Sequence, residues 1–447
     1  MAVTDYDCII VGAGPAGIFA ALEIVTKSEG KKVLLVEKGK DLAGRDRKEI
    51  FSGWGGAGTY SDGKLNISRD VGGFLNEYKA PAELDELLAY ADGLYLKYGA
   101  PAEIKGHDRE AVVKLEEAAA RAGLRLISFP IRHIGTDRCL GLLKNLRAEL
   151  EGKVDMLFDR EVAEVITANG AAAGIRTLDG AEFRSDFIIL CPGRIGARWL
   201  QEVARKNGLQ TDNNPVDIGV RVEVPATVLS QVTDVVHEAK LTYNSRKFDD
   251  PVRTFCMNPY GVVVKERNAG FCTVNGHSYS VRKSENTNFA ILVSTVFTEP
   301  FREPIAYGEY IAKLANLLGG GIIVQRLGDL LHGRRSTADR IKRGALKPTL
   351  QDATPGDLSF VLPYRYVSDI IEMLEALDRF APGLNSPSTL LYGVEVKFYS
   401  LRPRLTGALE TEIKNLFAAG DGAGVTRGIL QASVSGVIAA REALKRM

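Results

Sequence analysis

A glycine-rich turn near the start of the chain has the spacing of a dinucleotide-binding loop. The turn reads GAGPAG at 12–17 and stands between an apolar strand pattern and an apolar helical pattern. Gly12 permits the tight bend, Gly14 lets the backbone approach a pyrophosphate, and Gly17 allows the helix to pack closely on the strand. Pro15 presets a backbone angle in the first helical turn. Because free N–H groups at a helix N-terminus favour negative charge, the turn predicts a phosphate site.

An acidic residue stands where a dinucleotide-binding unit places one. A second apolar run, 32–36, ends at Glu37, which follows Gly17 by 20 residues. A carboxylate at this position can accept hydrogen bonds from both adenosine ribose hydroxyls, and it repels a 2′-phosphate. We therefore predict a dinucleotide site here. This unit alone does not separate FAD from NAD.

A second glycine loop lies near the other end of the chain. An apolar run at 416–419 leads into GDGAG at 420–424 and TRG at 426–428, and a small-residue helical pattern follows from 429 to about 444. The positive end of such a helix favours an anion. No second G-x-G-x-x-G follows a strand in the middle of the chain, so we expect NAD(P)H, if it is used, to dock transiently.

Three strings together carry a family resemblance. GAGPAG, GWGGAGTYSDGKL at 53–65 and AAGDGAGVTRGILQASVSG at 418–436 resemble the two-dinucleotide-fold flavoprotein superfamily. They are more similar still to the FAD-dependent dehydrogenases of uncharacterised function within it. FCMNPYG, VNGHS and GRRST, at 255–261, 274–278 and 333–337, extend the resemblance over nearly the whole chain.

The resemblance implies a bound FAD and a set of residues that hold it. Asp421 is expected to bond a ribityl hydroxyl, Val162 to meet the adenine through its backbone, and Gly193 to lie beside the nucleotide. The helix after the second loop is expected to point at the flavin N1–C2=O edge. The complete expected cofactor-binding set is Gly12, Gly14, Pro15, Ala16, Gly17, Glu37, Lys38, Gly56, Ala57, Gly58, Lys64, Val162, Gly193, Gly420, Asp421, Arg427, Gly428, Ile429 and Gln431.

Four residues are candidates for catalysis. Lys64, in SDGKL, could sit near flavin N5 or the pyrophosphate, or it could be a solvated loop lysine. His277, in VNGHS, could protonate a substrate carbanion, although a lone histidine is more often a structural hydrogen-bonding group. Tyr399 and Arg402 could bind a substrate carboxylate or carbonyl, or could lie on a solvated edge strand.

The remaining patterns predict the domain organisation. Asn-Gly at 169–170 and Asp-Gly at 179–180 are hairpin signals between β-rich runs, so they predict a three-stranded meander. We expect an α/β fold with a Rossmann-like FAD-binding domain, made of a parallel sheet plus the meander. This domain is expected to comprise 1–214 and 388–447, with a helical insertion at about 76–122. A mixed α+β substrate domain is expected at 215–387.

Charge and composition limit the partners. Lysine and arginine number 57 against 56 aspartates and glutamates, a net charge of +1, so we expect no nucleic-acid partner. The run from 332 to 347 carries six basic residues and one acid. It is either a solvated helix face or a site for a phosphate group or an acidic electron-transfer protein. The oligomeric state is left open.

The cysteines and the apolar runs point to a location. The five cysteines form no C-x-x-C pair, which favours a reducing compartment over a disulfide framework. No histidines and cysteines stand at metal-ligand spacing, so no metal is expected. The chain shows neither a membrane-length apolar stretch nor a basic leader, so we expect a cytoplasmic protein.

The leading hypothesis for function is an FAD-dependent dehydrogenase or reductase. It would transfer a hydride between flavin N5 and a small organic substrate, with an unsaturated or cyclic compound as one candidate class. An FAD-dependent monooxygenase and a flavin-containing RNA-modification or RNA-binding protein are the alternatives.

Overall fold

The structure is a computed structural model that describes residues 4–45, 51–212, 214–268, 270–279, 283–298, 300–301, 303–398 and 402–447. Its helices are α1 (Pro15–Lys27), α2 (Pro81–Lys97), α3 (Arg109–Arg121), α4 (Cys139–Leu150), α5 (Ala197–Lys206), α6 (Ala226–Val236), α7 (Pro304–Gly319), α8 (Leu327–Leu331), α9 (Ala338–Lys342), α10 (Tyr364–Phe380) and α11 (Ile429–Arg446). Its strands are β1 (Thr4–Asp5), β2 (Cys8–Val11), β3 (Val33–Val36), β4 (Lys64–Asn66), β5 (Arg125–Ile127), β6 (Ile131–His133), β7 (Asp155–Leu157), β8 (Val162–Ala168), β9 (Ala171–Thr177), β10 (Glu182–Arg184), β11 (Ile188–Leu190), β12 (Thr211–Asp212), β13 (Val216–Pro225), β14 (Lys240–Asn244), β15 (Pro251–Asn258), β16 (Val262–Asn268), β17 (Phe271–His277), β18 (Asn286–Thr295), β19 (Ile323–Arg326), β20 (Thr354–Pro355), β21 (Leu390–Lys397), β22 (Arg402–Pro403) and β23 (Leu416–Ala418). Over these ranges no helix combines the length and the hydropathy needed to cross a bilayer.

The chain forms two compact units. Unit 1 comprises Met1–Glu103, Arg132–Asn214 and Tyr399–Met447, and unit 2 comprises Ile104–Ile131 and Pro215–Phe398. These bounds differ from the expected ones in two places. Residues 388–398 fall in unit 2 because β21 pairs with β13 and β19. The expected helical insertion is divided, because α2 lies in unit 1 whereas α3 and β5 lie in unit 2, where β5 pairs with β14.

Unit 1 is built on a five-stranded sheet of the order β23-β11-β2-β3-β7, with all pairs parallel. Strands β2 and β3 are short apolar runs whose residues are all buried, as expected for a parallel sheet covered on both faces. Helix α1 follows β2 and is buried from Ala16 to Ile24. The Rossmann-like layout predicted from the sequence is confirmed.

A second sheet of unit 1 holds the predicted meander. Strands β8, β9 and β10 pair antiparallel around the turns at 169–170 and 179–180, and β1 pairs parallel to β10. Asn169 and Gly170 both have positive φ, 51° and 76°, which is the geometry that Asn-Gly hairpin turns require. The hairpin signals therefore located both turns correctly.

Unit 2 is built on an eight-stranded sheet of the order β20-β19-β21-β13-β18-β15-β14-β5, antiparallel except for β19 with β20. On β13 the residues Val216, Ile218, Val220 and Val222 alternate onto one face and enter an apolar core with α3, α6, α7 and α10. The residues between them include the buried charged groups Asp217, Arg221 and Glu223. One face of this sheet is therefore apolar and the other polar, although both are buried along β13.

Helix α10 in unit 2 contains a buried carboxyl group with a raised pKa. Asp369 is fully buried, and neither of its oxygens has a hydrogen-bond partner in the part of the chain that the structure describes. Arg365, one turn earlier, is paired with Asp250. Burial and the neighbouring carboxyl of Asp250 raise the pKa of Asp369 to about 6. Because an unfolded aspartate has a pKa near 3.9, the folded state binds this proton more tightly. Stability is therefore lost as the pH rises from about 4 to about 6.

Replacement of Asp369 by asparagine is expected to remove this pH-dependent loss. At pH 7 the free energy of unfolding should rise by an amount on the order of 2 kcal/mol, and the decline between about pH 4 and pH 6 should become shallower. Thermal unfolding midpoints measured from pH 4 to pH 8 test this. Glu375→Gln, a half-exposed carboxylate on the same helix, is the control and should leave the profile unchanged. A wild-type profile in Asp369→Asn would contradict the assignment.

Candidate functional site

The glycine turn after β2 has the geometry that the sequence predicts. Gly12 has φ +105°, and a Cβ added there would lie 2.1 Å from the carbonyl oxygen of Cys191. A Cβ at Gly17 would lie 1.9 Å from the carbonyl oxygen of Gly12. A Cβ at Gly14, by contrast, meets no atom within 4 Å. Two glycines are therefore required by the fold, and Gly14 is the one beside open space, where Pro15 begins α1.

Glu37 connects three parts of the polypeptide. Its Oε2 accepts a hydrogen bond from Ala13 N at 2.8 Å, and its Oε1 accepts from Gly39 N at 2.8 Å and Gly53 N at 2.7 Å. The side chain is buried at 7% exposure. A carboxylate has about four lone-pair sites, so one site on Oε2 remains for a ribose hydroxyl. Lys38, next to it, points instead to Glu161, with 3.7 Å between Nζ and Oε1.

The segment 53–73 contacts both glycine loops. At its start Gly55 N donates to Ala13 O, and a Cβ on Gly56 would lie 3.1 Å from the Cα of Gly14. Gly56, Ala57 and Gly58 lie in a 3-10 turn over Gly56–Tyr60, and Gly58 faces Pro15. This segment includes the string GWGGAGTYSDGKL, which carries part of the family resemblance. The close approach of Gly56 to Gly14 gives a physical reason for a glycine in that string.

At its end the same segment packs on the first turn of α11. A Cβ on Gly428 would lie 3.2 Å from Gly72 Cα, and Arg427 N donates to Gly72 O. Gln431 donates from Nε2 to the carbonyls of Ser68, Arg69 and Val71. Its Oε1 is buried and has no partner among the described residues, so it is an acceptor available to an incoming donor.

The second glycine loop packs against the end of β11. A Cβ on Gly422 would lie 2.3 Å from Gly193 O, whereas a Cβ on Gly193 itself meets nothing within 4 Å. Gly420 has φ +77°, and its N–H donates to Ser435 Oγ at 2.9 Å. Asp421 accepts a hydrogen bond from Thr426 Oγ1 at 2.8 Å. The loops at 12–17, 191–193 and 420–428 therefore converge in unit 1.

Lys64 lies in a buried cluster with charged neighbours. It is 7% exposed, and its Nζ is 3.0 Å from Oδ2 of Asp62. His133, on β6, belongs to the same cluster, and burial lowers its pKa while the charges of Asp62 and Lys64 act on it in opposite directions. The alternative of a solvated loop lysine is wrong. Sequence reasoning did not identify Asp62, two residues before Lys64, or His133, which the pairing of β6 with β4 brings to the same cluster.

The other catalytic candidates are dispersed. Arg402 donates to Glu77 at 2.7 Å, and its guanidinium carbon lies 5.3 Å from the ring centroid of Phe74. Arg427 lies over the same ring at 4.4 Å, so Phe74 links Arg402 to the second glycine loop. His277 is half-buried at the end of β17 in unit 2. Tyr399 lies outside the described residues.

The remaining expected cofactor residues have ordinary positions in unit 1. Val162 is buried at the start of β8, and Ile429 begins α11. Ala16 lies against Gly436, where an added Cβ would be 1.9 Å from the Ala16 carbonyl oxygen. This contact brings α1 and α11 together, so the two helices that follow the two glycine loops share an interface. The roles of Val162, Ile429 and Ala16 toward a cofactor stay predictions.

The site fits FAD. The open space beside Gly14 and Gly193 provides room for a pyrophosphate, and the unpaired Oε1 of Gln431 provides an acceptor. Residues 215–398 match the family model described as FAD-dependent protein, C-terminal domain-like. Residues 10–57 match the NAD(P)-binding Rossmann-like domain, and 355–447 match the model described as glucose inhibited division protein A. The chain is an FAD-dependent oxidoreductase.

The individual proteins similar to this FAD-dependent oxidoreductase share low sequence identity with it. An uncharacterized protein of Clostridium beijerinckii is 29% identical over 479 aligned positions, which cover 98% of this chain and 80% of that protein. L-proline dehydrogenase from P. horikoshii is 10% identical with a TM-score of 0.43 and covers 100% of this chain and 95% of its own. Glycine oxidase from Geobacillus kaustophilus is 14% identical with a TM-score of 0.42 and covers 99% and 95%.

The contrast between Gly14 and Gly17 gives a test of cofactor binding. Gly14→Ala should leave apoprotein stability unchanged, because its φ of −79° suits alanine and its Cβ meets open space. The methyl group should nevertheless lower FAD affinity by roughly 100-fold, since it occupies the room that the pyrophosphate needs. Gly17→Ala should lose both stability and FAD. Flavin absorbance after purification and apoprotein unfolding midpoints separate the two outcomes.

Gly93→Ala is the matched control for this pair. Gly93 lies on α2, where an added Cβ meets no atom within 4 Å. Alanine is the better helix former, so this variant should retain FAD and gain stability slightly. Equal FAD affinity in Gly14→Ala and wild type would place the pyrophosphate elsewhere.

Proposed function

We propose that this FAD-dependent oxidoreductase is a dehydrogenase or reductase acting on a small organic molecule, with unsaturated or cyclic compounds as the candidate class. The observation that carries the proposal is the buried Lys64–Asp62 pair within the segment that contacts both glycine loops. FAD, when bound, supplies the N5 atom that accepts or donates a hydride. Lys64 Nζ holds the proton that accompanies this hydride, and Asp62 keeps the ammonium in place.

The electron donor we propose is NAD(P)H, docked transiently. The G-x-G-x-x-G turn at 12–17 is the one that lies between a strand and an α-helix, and the geometry supports assigning that turn to FAD. The sheet of unit 2 is mainly antiparallel, unlike a second dinucleotide-binding sheet. All five cysteines are free and form no C-x-x-C pair, which disfavours dithiol exchange as the electron path.

Anaerobic titration of the purified protein tests the proposal. Flavin absorbance at about 375 and 450 nm is expected, and NADH or NADPH should bleach the longer-wavelength band. Dithionite reduction gives the full amplitude for comparison. Flavin that dithionite reduces but neither nucleotide reduces would remove NAD(P)H as the donor. A colourless protein that takes up no added FAD would overturn the proposal at its base.

Lys64→Met is expected to slow flavin reduction or product formation by about 100-fold, because it removes the proposed proton donor. The variant also leaves Asp62 buried without its cation, so Lys64→Met combined with Asp62→Asn provides a charge-balanced version. Stopped-flow reduction rates and flavin content are measured for both variants.

Lys153→Met is the control for this experiment. Lys153 is half-exposed and pairs with Glu149 of the same unit at 2.7 Å, so its loss should change neither reduction rate nor flavin content. Wild-type reduction rates in the charge-balanced Lys64 variant would remove Lys64 from the reaction.

A further inference from the structure

Helix α7 of unit 2 presents large apolar side chains to solvent. We call Tyr310, Leu314, Leu317 and Leu318 the α7 stripe; their exposed fractions are 74%, 38%, 80% and 53%. They recur at i, i+4, i+7 and i+8, so they form one continuous face of the helix. Most large apolar residues of a monomer are not arranged in such a row, and a contiguous exposed patch indicates an interaction surface.

The opposite face of α7 explains why the large residues point outward. Gly308, Ala312 and Ala315 are buried, and a Cβ on Gly308 would already lie 2.9 Å from side-chain atoms of Phe398 and Val396. Small residues therefore bring α7 close to the sheet of unit 2. The stripe is not needed to fill the core beneath α7, and it stays exposed among the described residues of unit 2.

The charges beside the stripe select among partners. Glu309 is paired with Lys313 on the same helix at 3.2 Å, and the exposed Glu303 stands at the start of α7. Over residues 302–318 the sequence has two acidic and two basic residues, so this edge carries no net charge. An anionic membrane surface is recognised through an excess of Lys and Arg, which this edge lacks. Because Glu309 and Lys313 pair with each other, they offer no excess charge to a partner with a strong net charge.

We propose that the α7 stripe is the contact between two copies of this chain, packed as antiparallel helices about a two-fold axis. An antiparallel pair with its axis near Leu314 places Tyr310 of each copy against Leu318 of the other. It also sets the helix dipoles in opposite directions, which is favourable. Two-fold dimers with self-complementary surfaces are the commonest oligomers, and this stripe is apolar and internally charge-balanced, as such a surface requires.

The two-fold arrangement predicts the extent of association. Four side chains are far fewer than the roughly 20–30 residues on each side of a stable interface. The aromatic cluster of Phe297, Phe301 and Tyr307 adjoins the first turns of α7, and Phe301 is 41% exposed, so it extends the surface. The dimer is therefore reversible and depends on protein concentration.

Sedimentation equilibrium of the full-length holoprotein, from low micromolar to several hundred micromolar, tests the proposal. The wild type is expected to shift from monomer to dimer. Leu317→Glu should raise the dissociation constant at least about 30-fold, because a charge is placed on the most exposed side chain of the stripe. Its side chain is 80% exposed, so flavin content and unfolding midpoint should match the wild type.

Two controls fix the interpretation. Leu331→Glu changes another exposed leucine, 48% exposed on α8, and should leave the dissociation constant unchanged. Flotation with anionic phospholipid vesicles examines the lipid alternative. A wild type that stays monomeric throughout, a dimer that Leu317→Glu does not weaken, or vesicle binding that Leu317→Glu abolishes would each overturn the proposal.

Discussion

Replacing Glu37 with glutamine is expected to remove most of the bound FAD and to destabilise unit 1. The carboxylate accepts three backbone hydrogen bonds, from Ala13, Gly39 and Gly53. A glutamine has one acceptor oxygen, so its NH2 group must face at least one of these buried N–H groups. Each buried donor left without an acceptor costs about 1–3 kcal/mol. We expect about 2 kcal/mol lower stability and roughly 100-fold weaker FAD binding.

The orientation of the glutamine amide at position 37 decides how much of the loss falls on stability and how much on FAD binding. With the amide oxygen toward Gly39 and Gly53, the NH2 group faces Ala13 N–H and also occupies the position expected for a ribose hydroxyl. Flavin retention, FAD titration of the apoprotein and its unfolding midpoint measure both parts. Glu161→Gln, a half-exposed carboxylate near Lys38, should change none of them. Full flavin retention in Glu37→Gln would contradict the assignment of Glu37 to the cofactor site.

The cofactor site could be predicted from the sequence where its geometry is local. The roles of Gly12, Gly14 and Gly17 follow from spacing within one turn, and each has the expected surroundings. The three backbone hydrogen bonds that Glu37 accepts were not predicted, and two of their donors lie on Gly39 and Gly53; its contact with a ribose stays a prediction. Nothing in the sequence between 37 and 53 indicates that the chain returns to the same carboxylate.

The domain boundaries could not be predicted because they depend on strand pairing over long distances. The run that contains β21 reads as a strand in either unit, and its place is decided by pairing with β13, more than 150 residues earlier. The same applies to the charged pair of Arg221 and Glu395. In GVRVEV the arginine reads as the solvent-facing residue of an alternating strand, whereas it is fully buried.

Arg221→Met is expected to cause the largest loss of stability in unit 2. Both Arg221 and Glu395 are fully buried, and Arg221 bonds the two carboxylate oxygens at 2.7 and 2.9 Å. It also donates to Cys256 O and Asn288 Oδ1. Burial raises the pKa of Glu395, but the charges of Arg221 and Lys397 outweigh it and hold that pKa below its usual value.

Removing one partner of a buried ion pair costs about 3–5 kcal/mol. Lys397, whose Nζ lies 2.9 Å from Glu395 Oε1, replaces only part of the charge and hydrogen bonds that Arg221 supplies. The loss should be larger at neutral pH than near pH 4, because protonation of Glu395 relieves its weakened pairing. Arg221→Met combined with Glu395→Leu and Lys397→Met removes all three charges and should recover most of the loss. Trp54 and Trp199 both lie in unit 1, so tryptophan fluorescence reports the unfolding of unit 1. Far-UV circular dichroism reports both units. Urea unfolding followed by the two signals therefore separates the units. Arg246→Met, at an exposed pair with Glu375 in the same unit, should cost under about 1 kcal/mol. A triple variant as unstable as Arg221→Met would show that packing rather than the weakened pairing of the carboxylate causes the loss.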